Sequence, residues 1–345
     1  MSSIPSPEAS GNRPDFRRRR TNFEFTVSAR SRDAYTTRDE TFWYSDGNII
    51  VVAQGVAFRV YKGILAEYSE VFRDMFLLPA PIPEPSESSV INAADGCPVV
   101  HVTDTAAEFR SLLSALLRGM QYIRRRAFSF EEVASCIRLA HKYGIEGILE
   151  DSMAELTTWF PIAFDSWDNT PSCASPLDPI LAVNLARLTD DRPVLTIALY
   201  LCCQLDATDL LRGRVRSGDV VDRLSDEDLA CCMRGKAACC TRKVQMIRGV
   251  FAHIDNPACT GGLKRCNASL DYIMAQQSRC AEAGDANVLD PRCHAILRRH
   301  RQSRKPKPKS PLCSSCIALV TERETGIRAS LWSDLPDLLG FKQRE

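Results

Sequence analysis

The stretch Phe58–Phe76, "FRVYKGILAEYSEVFRDMF", joins an alternating strand directly to a helical pattern that is interrupted by a Ser-Glu break. Val56, Phe58 and Val60 alternate with Ala57, Arg59 and Tyr61, which is the period of a half-buried strand. Ile64, Leu65, Tyr68, Val71, Phe72, Met75 and Phe76 then recur at helical spacing, and Ser69 is placed to cap a second helical piece. Upstream, Asn48–Val52, "NIIVV", is a continuous β-branched run that reads as a buried strand, and Gln54-Gly55 suits a tight hairpin between the two strands. The stretch is thus a hairpin strand feeding a broken amphipathic helix.

Working outward, the Pro-rich "LPAPIPEPSESS" from Leu78 reads as a loop, and "PVVHV", Pro98–Val102, as a third strand. Asp104 can cap a helix that carries Phe109, Leu112, Leu113, Leu116 and Leu117 and stops at Gly119. Ser129 and Glu132 form a capping box for the next helix, with Val133, Cys136, Ile137 and Ala140 on its apolar face and Gly144 at its end. A further helix runs through Ile148, Leu149, Met153, Leu156 and Phe160. Strands followed by several helices predict an α+β domain over residues 39–160.

This order resembles the BTB/POZ family. The resemblance is carried by "FWYSDGNIIV", by the Phe58–Phe76 block with its "FRDMF", by "DGCPVVHVTD" running into "VVHVTDTAAEFRSLLSALL", and by "ASCIRLAHKYGIEGILE" with its "LAHKYGIE". These segments look most like the BTB proteins of fungi, most of which have no assigned biochemical role. The resemblance implies a small sheet with helices and a function in protein association, as a homodimer or with another BTB protein. It further implies either adaptor work for a cullin-based ubiquitin ligase or recruitment of partners to chromatin. In dimeric members an acidic residue and a basic one line a pocket; the corresponding positions here are Asn48, Tyr61 and Lys62, with Asn48 rather than Asp46 at the acidic place.

Residues 161–176, "PIAFDSWDNTPSCASP", shift toward Pro, Ser and Asn and read as a boundary. Helical patterns return in "PILAVNLARL" and in "PVLTIALYLCCQL", which is apolar nearly all round. Ser225 with Asp228 starts another helix, "SDEDLACCMRGK", and a further long one is expected from Cys239 to Val250. Residues 177–255 therefore form a mostly α-helical domain, whose placement resembles the BACK-like helical region that often follows BTB domains. Residues 256–345 are a Cys-rich basic segment, and residues 1–38, with Arg17–Arg20, read as a disordered tail.

The 345 residues include 15 cysteines, an odd number, and no secretory signal is evident in the first 40 residues. Reduced thiols in an intracellular protein are expected, with nucleus and cytoplasm both open. Cys202-Cys203, Cys231-Cys232 and Cys239-Cys240 lie in helical or apolar surroundings, where cysteine acts as a small buried hydrophobe. Cys313-Ser314-Ser315-Cys316 is different: a CxxC brings two thiolates to one ion from a single turn. With Cys259 and Cys266 as the second arm it would make a structural zinc site, for which Cys280, Cys293 and His294 are alternative ligands.

The net charge of +1 excludes a globally basic nucleic-acid binder, and no apolar run is long enough to span a bilayer. The eight Lys or Arg residues between Arg292 and Lys309 have no interleaved aromatics, so base stacking is not expected and a solvated basic linker or import signal is the simpler reading. Near the end, "SLWSDLPDLLGF" has enough apolar surface to dock as a short helix, onto this chain or onto a partner. No GxSxG, GxxxxGK[ST], HExxH or GxGxxG pattern occurs, and Cys293-His294 are too close in sequence to face one another as nucleophile and base. No catalytic residue is assigned, and the expectation is a non-enzymatic interaction protein.

Overall fold

The computed structural model describes residues 37–77, 97–119, 128–169, 178–216, 220–281, 286–290 and 312–340. The Arg17–Arg20 run, the Pro-rich loop from Leu78, residues 170–177 and the basic run from Arg292 to Lys309 lie outside them. The chain divides into two compact units, residues 1–110 and 111–345, and the division falls within helix α3 (Ala106–Arg118).

The first unit is built on a mixed sheet of order β1(Thr37–Trp43), β3(Val56–Val60), β2(Ile49–Ala53), β4(Val99–Val102). β2 and β3 are the antiparallel hairpin, while β1 runs parallel to β3 and β4 parallel to β2. The hairpin turn places Gln54 at φ 46° and Gly55 at φ 76°, the two left-handed conformations that match the twist of the flanking strands. All five β2 residues are buried, as a continuous apolar run requires. One cluster gathers Ile50, Val52 and Ala57 with Trp43, Cys97 and Val99. Elsewhere in the unit, Phe109 of α3 meets Phe58 and Phe72 at ring-centroid distances of 5.3 and 6.5 Å.

Helices α1(Lys62–Tyr68) and α2(Glu70–Leu77) flank the predicted break: Ser69 is extended, and its hydroxyl accepts the Phe72 N–H at 3.0 Å. β1 has no apolar alternation, and the sequence reading assigned it no strand. Its buried Asp39, 4 % exposed, accepts the N–H groups of Thr41 and Phe42 and the Arg110 guanidinium at 2.7 Å, so a polar strand is satisfied where its register shifts. At the start of α3, Thr105 and Glu108 exchange hydrogen bonds in the manner of a capping box.

Among its described residues the second unit is helical apart from the short hairpin β5(Arg214–Val215)–β6(Val221–Asp222). After α3 come α4(Phe130–Tyr143), α5(Glu146–Trp159), α6(Phe164–Asn169), α7(Pro179–Thr189), α8(Arg192–Cys202) and α9(Ala207–Arg212). They are followed by α10(Asp226–Val250), α11(Leu263–Ala281) and α12(Ser314–Leu338). The expected capping box of Ser129 and Glu132 opens α4, and Gly144 closes it in the left-handed conformation at φ 65°. Asp178 and Asp191 cap α7 and α8, each immediately upstream of a proline-containing first turn. α10 is central and packs on α8, α11 and α12.

Three helices depart from the sequence reading. α10 is one helix rather than two, because Gly235 does not break it: a Cβ there would lie 2.7 Å from Leu339 Cδ2 and 3.0 Å from Cys203 Sγ, so glycine permits close packing inside the helix. The sequence pattern around Ser269–Cys280 reads as a helix, but α11 begins six residues earlier, at Leu263. α12 is far longer than the short terminal helix anticipated, since its buried stripe of Cys316, Val320, Glu324, Arg328, Leu331 and Leu335 contains two charged residues that interrupt the apolar pattern. Arg328 is fully buried and pairs with Glu324 at 3.4 Å and Asp168 of α6 at 2.5 Å. Trp332 packs against Phe164 and Trp167 of α6, so the "SLWSDL" stretch is docked on its own chain.

Candidate functional site

Cys259, Cys266, Cys313 and Cys316 bring their sulfurs within 4.8 Å of one another. They come from three places: Cys259 from the loop after α10, Cys266 from the first turn of α11, and Cys313 and Cys316 from the start of α12, where Cys313 is the N-cap residue. The Cys259–Cys266, Cys266–Cys313 and Cys313–Cys259 sulfur separations are 3.7, 3.9 and 3.8 Å. A tetrahedral zinc with Zn–S of about 2.3 Å sets ligand–ligand edges of about 3.8 Å, whereas a disulfide needs about 2.05 Å. The four thiols are free cysteines in the spacing that one four-coordinate ion requires.

The surroundings suit thiolates. Helix starts and tight loops carry backbone N–H groups without intrahelical partners, and here several are aimed at sulfur. The Cys313 N–H reaches Cys266, and the Cys316 and Gly261 N–H groups reach Cys313. The Ser315 hydroxyl donates to the Ala258 carbonyl oxygen at 2.7 Å and lies 3.3 Å from Cys313 Sγ, a contact in which either atom can be the donor. Ser315 and those two N–H groups pull the Cys313 thiol down to about 4, while burial pushes Cys266 and Cys316 up. Asn256, 8 % exposed, donates its side-chain N–H to Cys316 Sγ at 3.5 Å and accepts the Ala258 N–H and, through its carbonyl, the Cys259 N–H.

Gly261 fits between the arms: a Cβ there would lie 3.2 Å from Cys313 Cβ and 3.3 Å from Cys266 Sγ. Gly262 at φ 85° makes the following turn into α11. Asn256, Gly261 and Ser315 were not singled out from the sequence. The Gly-Gly pair two residues after Cys259 was the available signal, since it marks a close backbone approach and a left-handed turn. Cys293, His294 and the side chain of Cys280 lie outside the described residues.

In the first unit, Asn48, Tyr61 and Lys62 come together where β3 ends and α1 begins. Asn48 Oδ1 accepts the Lys62 N–H at 2.7 Å and supplies the cap that Tyr61 does not. The Tyr61 hydroxyl donates to Asp46 Oδ1 at 2.8 Å, which raises its phenol, and its ring lies 5.2 Å from that of Tyr44. The Lys62 ammonium sits 5.4 Å from the centre of the Phe76 ring. An acidic residue is therefore present beside Tyr61, but it is Asp46, and Asn48 is spent on the helix start.

Among the described residues the other histidines form no nucleophile–base pair with a cysteine or serine. His253 lies exposed against Asp271 at 2.9 Å, and burial lowers His141. Among the described helices none is long and apolar enough to cross a membrane.

Comparison with known proteins gives one match. Residues 43–158 fit the family model of the BTB/POZ domain, and no curated protein and no solved structure matches the chain. The matched span begins at the end of β1, takes in the mixed sheet with α1 to α3, and ends in α5. This chain carries an α+β BTB/POZ domain, a module of protein–protein interaction and oligomerisation, followed by a helical region.

Proposed function

We propose that this is a non-enzymatic, intracellular interaction protein whose BTB/POZ domain pairs with a second copy, or with another BTB protein, while the helical region offers a binding surface. The observation that carries this reading is the family match over residues 43–158. Its first form is a substrate adaptor of a cullin-based ubiquitin ligase. A second form, a chromatin-associated regulator or scaffold, is favoured by the basic runs at Arg17–Arg20 and Arg292–Lys309. Contact between those runs and nucleic acid would be indirect or confined to phosphates, because no aromatic residues interleave them.

The four-cysteine cluster is read as a structural zinc site. Four thiolates close the coordination sphere and leave no position for water or substrate, so its work is to tie the loop after α10 to the first turns of α11 and α12. Native mass spectrometry of the full-length chain with metal analysis tests both halves of the proposal. A dimer holding one zinc per chain supports them; a monomer that recruits no BTB protein removes the association reading, and a metal-free chain removes the zinc. Co-purification with a cullin, set against salt-sensitive DNA retention, separates the adaptor from the regulator.

A further inference from the structure

The four-thiol cluster has an inner and an outer half. Cys266 and Cys316 are 1 % and 0 % exposed, whereas Cys259 and Cys313 are only half-buried. The two outer sulfurs face each other at 3.8 Å. Gly261 brings the backbone close beside the cluster, where a Cβ would lie 3.2 Å from Cys313 Cβ and 3.3 Å from Cys266 Sγ. Cys202, Cys203, Cys232 and Cys239 are all 0 % exposed, and although Cys97 and Cys240 are half-buried like the outer pair, only the outer pair sits within a four-thiol cluster.

We propose that Cys259 and Cys313 are an oxidation site for hydrogen peroxide, and that their oxidation to a disulfide opens the metal centre and frees the first turn of α12. The proposal rests on the zinc reading above. In the first step one outer thiolate attacks a peroxide oxygen: an S–O bond forms, the O–O bond breaks, and the departing hydroxide takes a proton to become water. In the second, the other outer thiolate attacks that sulfur, forming the S–S bond as the S–O bond breaks and a second hydroxide leaves, to be protonated to water. Two thiolates give up two electrons, one peroxide becomes two waters, and the two remaining thiolates no longer satisfy a four-coordinate ion.

The release would be local. Beyond its first turn α12 is held independently by Arg323, which donates to the Val250 and Ala252 carbonyls at 3.3 and 2.8 Å, and by the Arg328–Asp168 pair. Reduction of the disulfide would let the site close again on the same scaffold.

The test uses full-length protein whose zinc content has been measured, titrated with hydrogen peroxide in the presence of a chromogenic zinc chelator, with the disulfides then mapped by peptide mass spectrometry. The expected result is release of one zinc per chain in step with a Cys259–Cys313 disulfide, and rebinding of zinc after reduction by dithiothreitol. A Cys203→Ser variant, which leaves the cluster intact, should release zinc at an unchanged rate. Zinc that stays bound at peroxide levels oxidising exposed thiols overturns the proposal, as does release accompanied by disulfides that omit the outer pair. Protein that neither contains nor takes up zinc fails at the prior reading, and that result is distinguishable because it appears before peroxide is added.

Discussion

Two groups of cysteines sit in the same helical unit and behave as different chemical species. Cys202, Cys203, Cys231, Cys232 and Cys239 lie on the facing sides of α8 and α10, where nearly every backbone N–H is committed to its own helix. The Cys203 thiol donates to the Cys232 carbonyl, and contact with Cys232 together with burial pushes Cys202 and Cys203 well above the ordinary thiol range. Cys259, Cys266, Cys313 and Cys316 come instead from a loop and two helix starts, where N–H groups are free to point at sulfur. Burial does not separate the groups, since Cys266 and Cys316 are as buried as the core set and are pushed up as Cys202 and Cys203 are, while inside the core the thiols of Cys202 and Cys203 pull Cys232 down to about 4. What sets the second group apart is that four sulfurs from a loop and two helix starts converge within 4.8 Å of one another.

The most severe way to break this comparison is to remove one member from each group. Cys316→Ser should reduce bound zinc from one per chain to none and lower the melting temperature by more than any core cysteine substitution, because the metal's binding energy is folding energy for the elements it joins. Cys202→Ala should keep the zinc and lose about 1–2 kcal/mol for the buried volume, read by denaturant titration. Equal zinc in the two variants would mean that the four thiols are packing residues like the others.

The sequence made one group legible and hid part of the other's setting. The CxxC named Cys313 and Cys316 because a single helical turn is a local property, whereas Cys259 and Cys266 were one choice of second arm beside Cys280, Cys293 and His294, which spacing alone does not separate. The donors around them, Asn256, Gly261 and Ser315, depend on how the loop after α10 folds over the start of α12, and no spacing rule encodes that contact. The fold behaves the same way. The β2–β3 hairpin and the capped helices α2 and α4 were readable because hairpin turns and caps are local. β1 and most of α12 were not, since Asp39, Glu324 and Arg328 are charged residues whose burial depends on distant partners, Arg110 for the first and Asp168 of α6 for the last.

Two glycines sharpen the comparison at smaller amplitude. Gly235→Ala would push a Cβ into fully buried Leu339 and Cys203, and overpacking of this kind costs about 1–3 kcal/mol with zinc retained. Gly261→Ala presses on Cys313 and Cys266 with contacts of 3.2 and 3.3 Å, so global stability of the zinc-free chain should change little while zinc affinity falls about 10–100-fold, as for other groups that orient ligands. Competition with a fluorescent zinc chelator measures the second effect and urea titration the first. A reversal of the two outcomes would place the tight packing at the metal site and the tolerance in the core.

The smallest effect is one of rate. In zinc-free protein the Ser315 hydroxyl and the Cys316 and Gly261 N–H groups hold Cys313 as a thiolate down to about pH 4, whereas Cys202 and Cys203 stay protonated beyond the ordinary thiol range. The sign follows from the direction: a thiol whose folded pKa is lowered contributes stability that is fully present above its unfolded value, declines as pH falls below that value, and is gone once pH drops through about 4. At pH 6 iodoacetamide should therefore label Cys313 first, and labelling should slow as the pH is taken toward 4, because the proton that returns to sulfur displaces the hydrogen bonds that stabilised its charge. Mass spectrometric timing of each cysteine reads this directly. Labelling of Cys202 or Cys203 ahead of Cys313 would mean that the free N–H groups do not govern thiol chemistry in this protein, and that the core thiols are the reactive set.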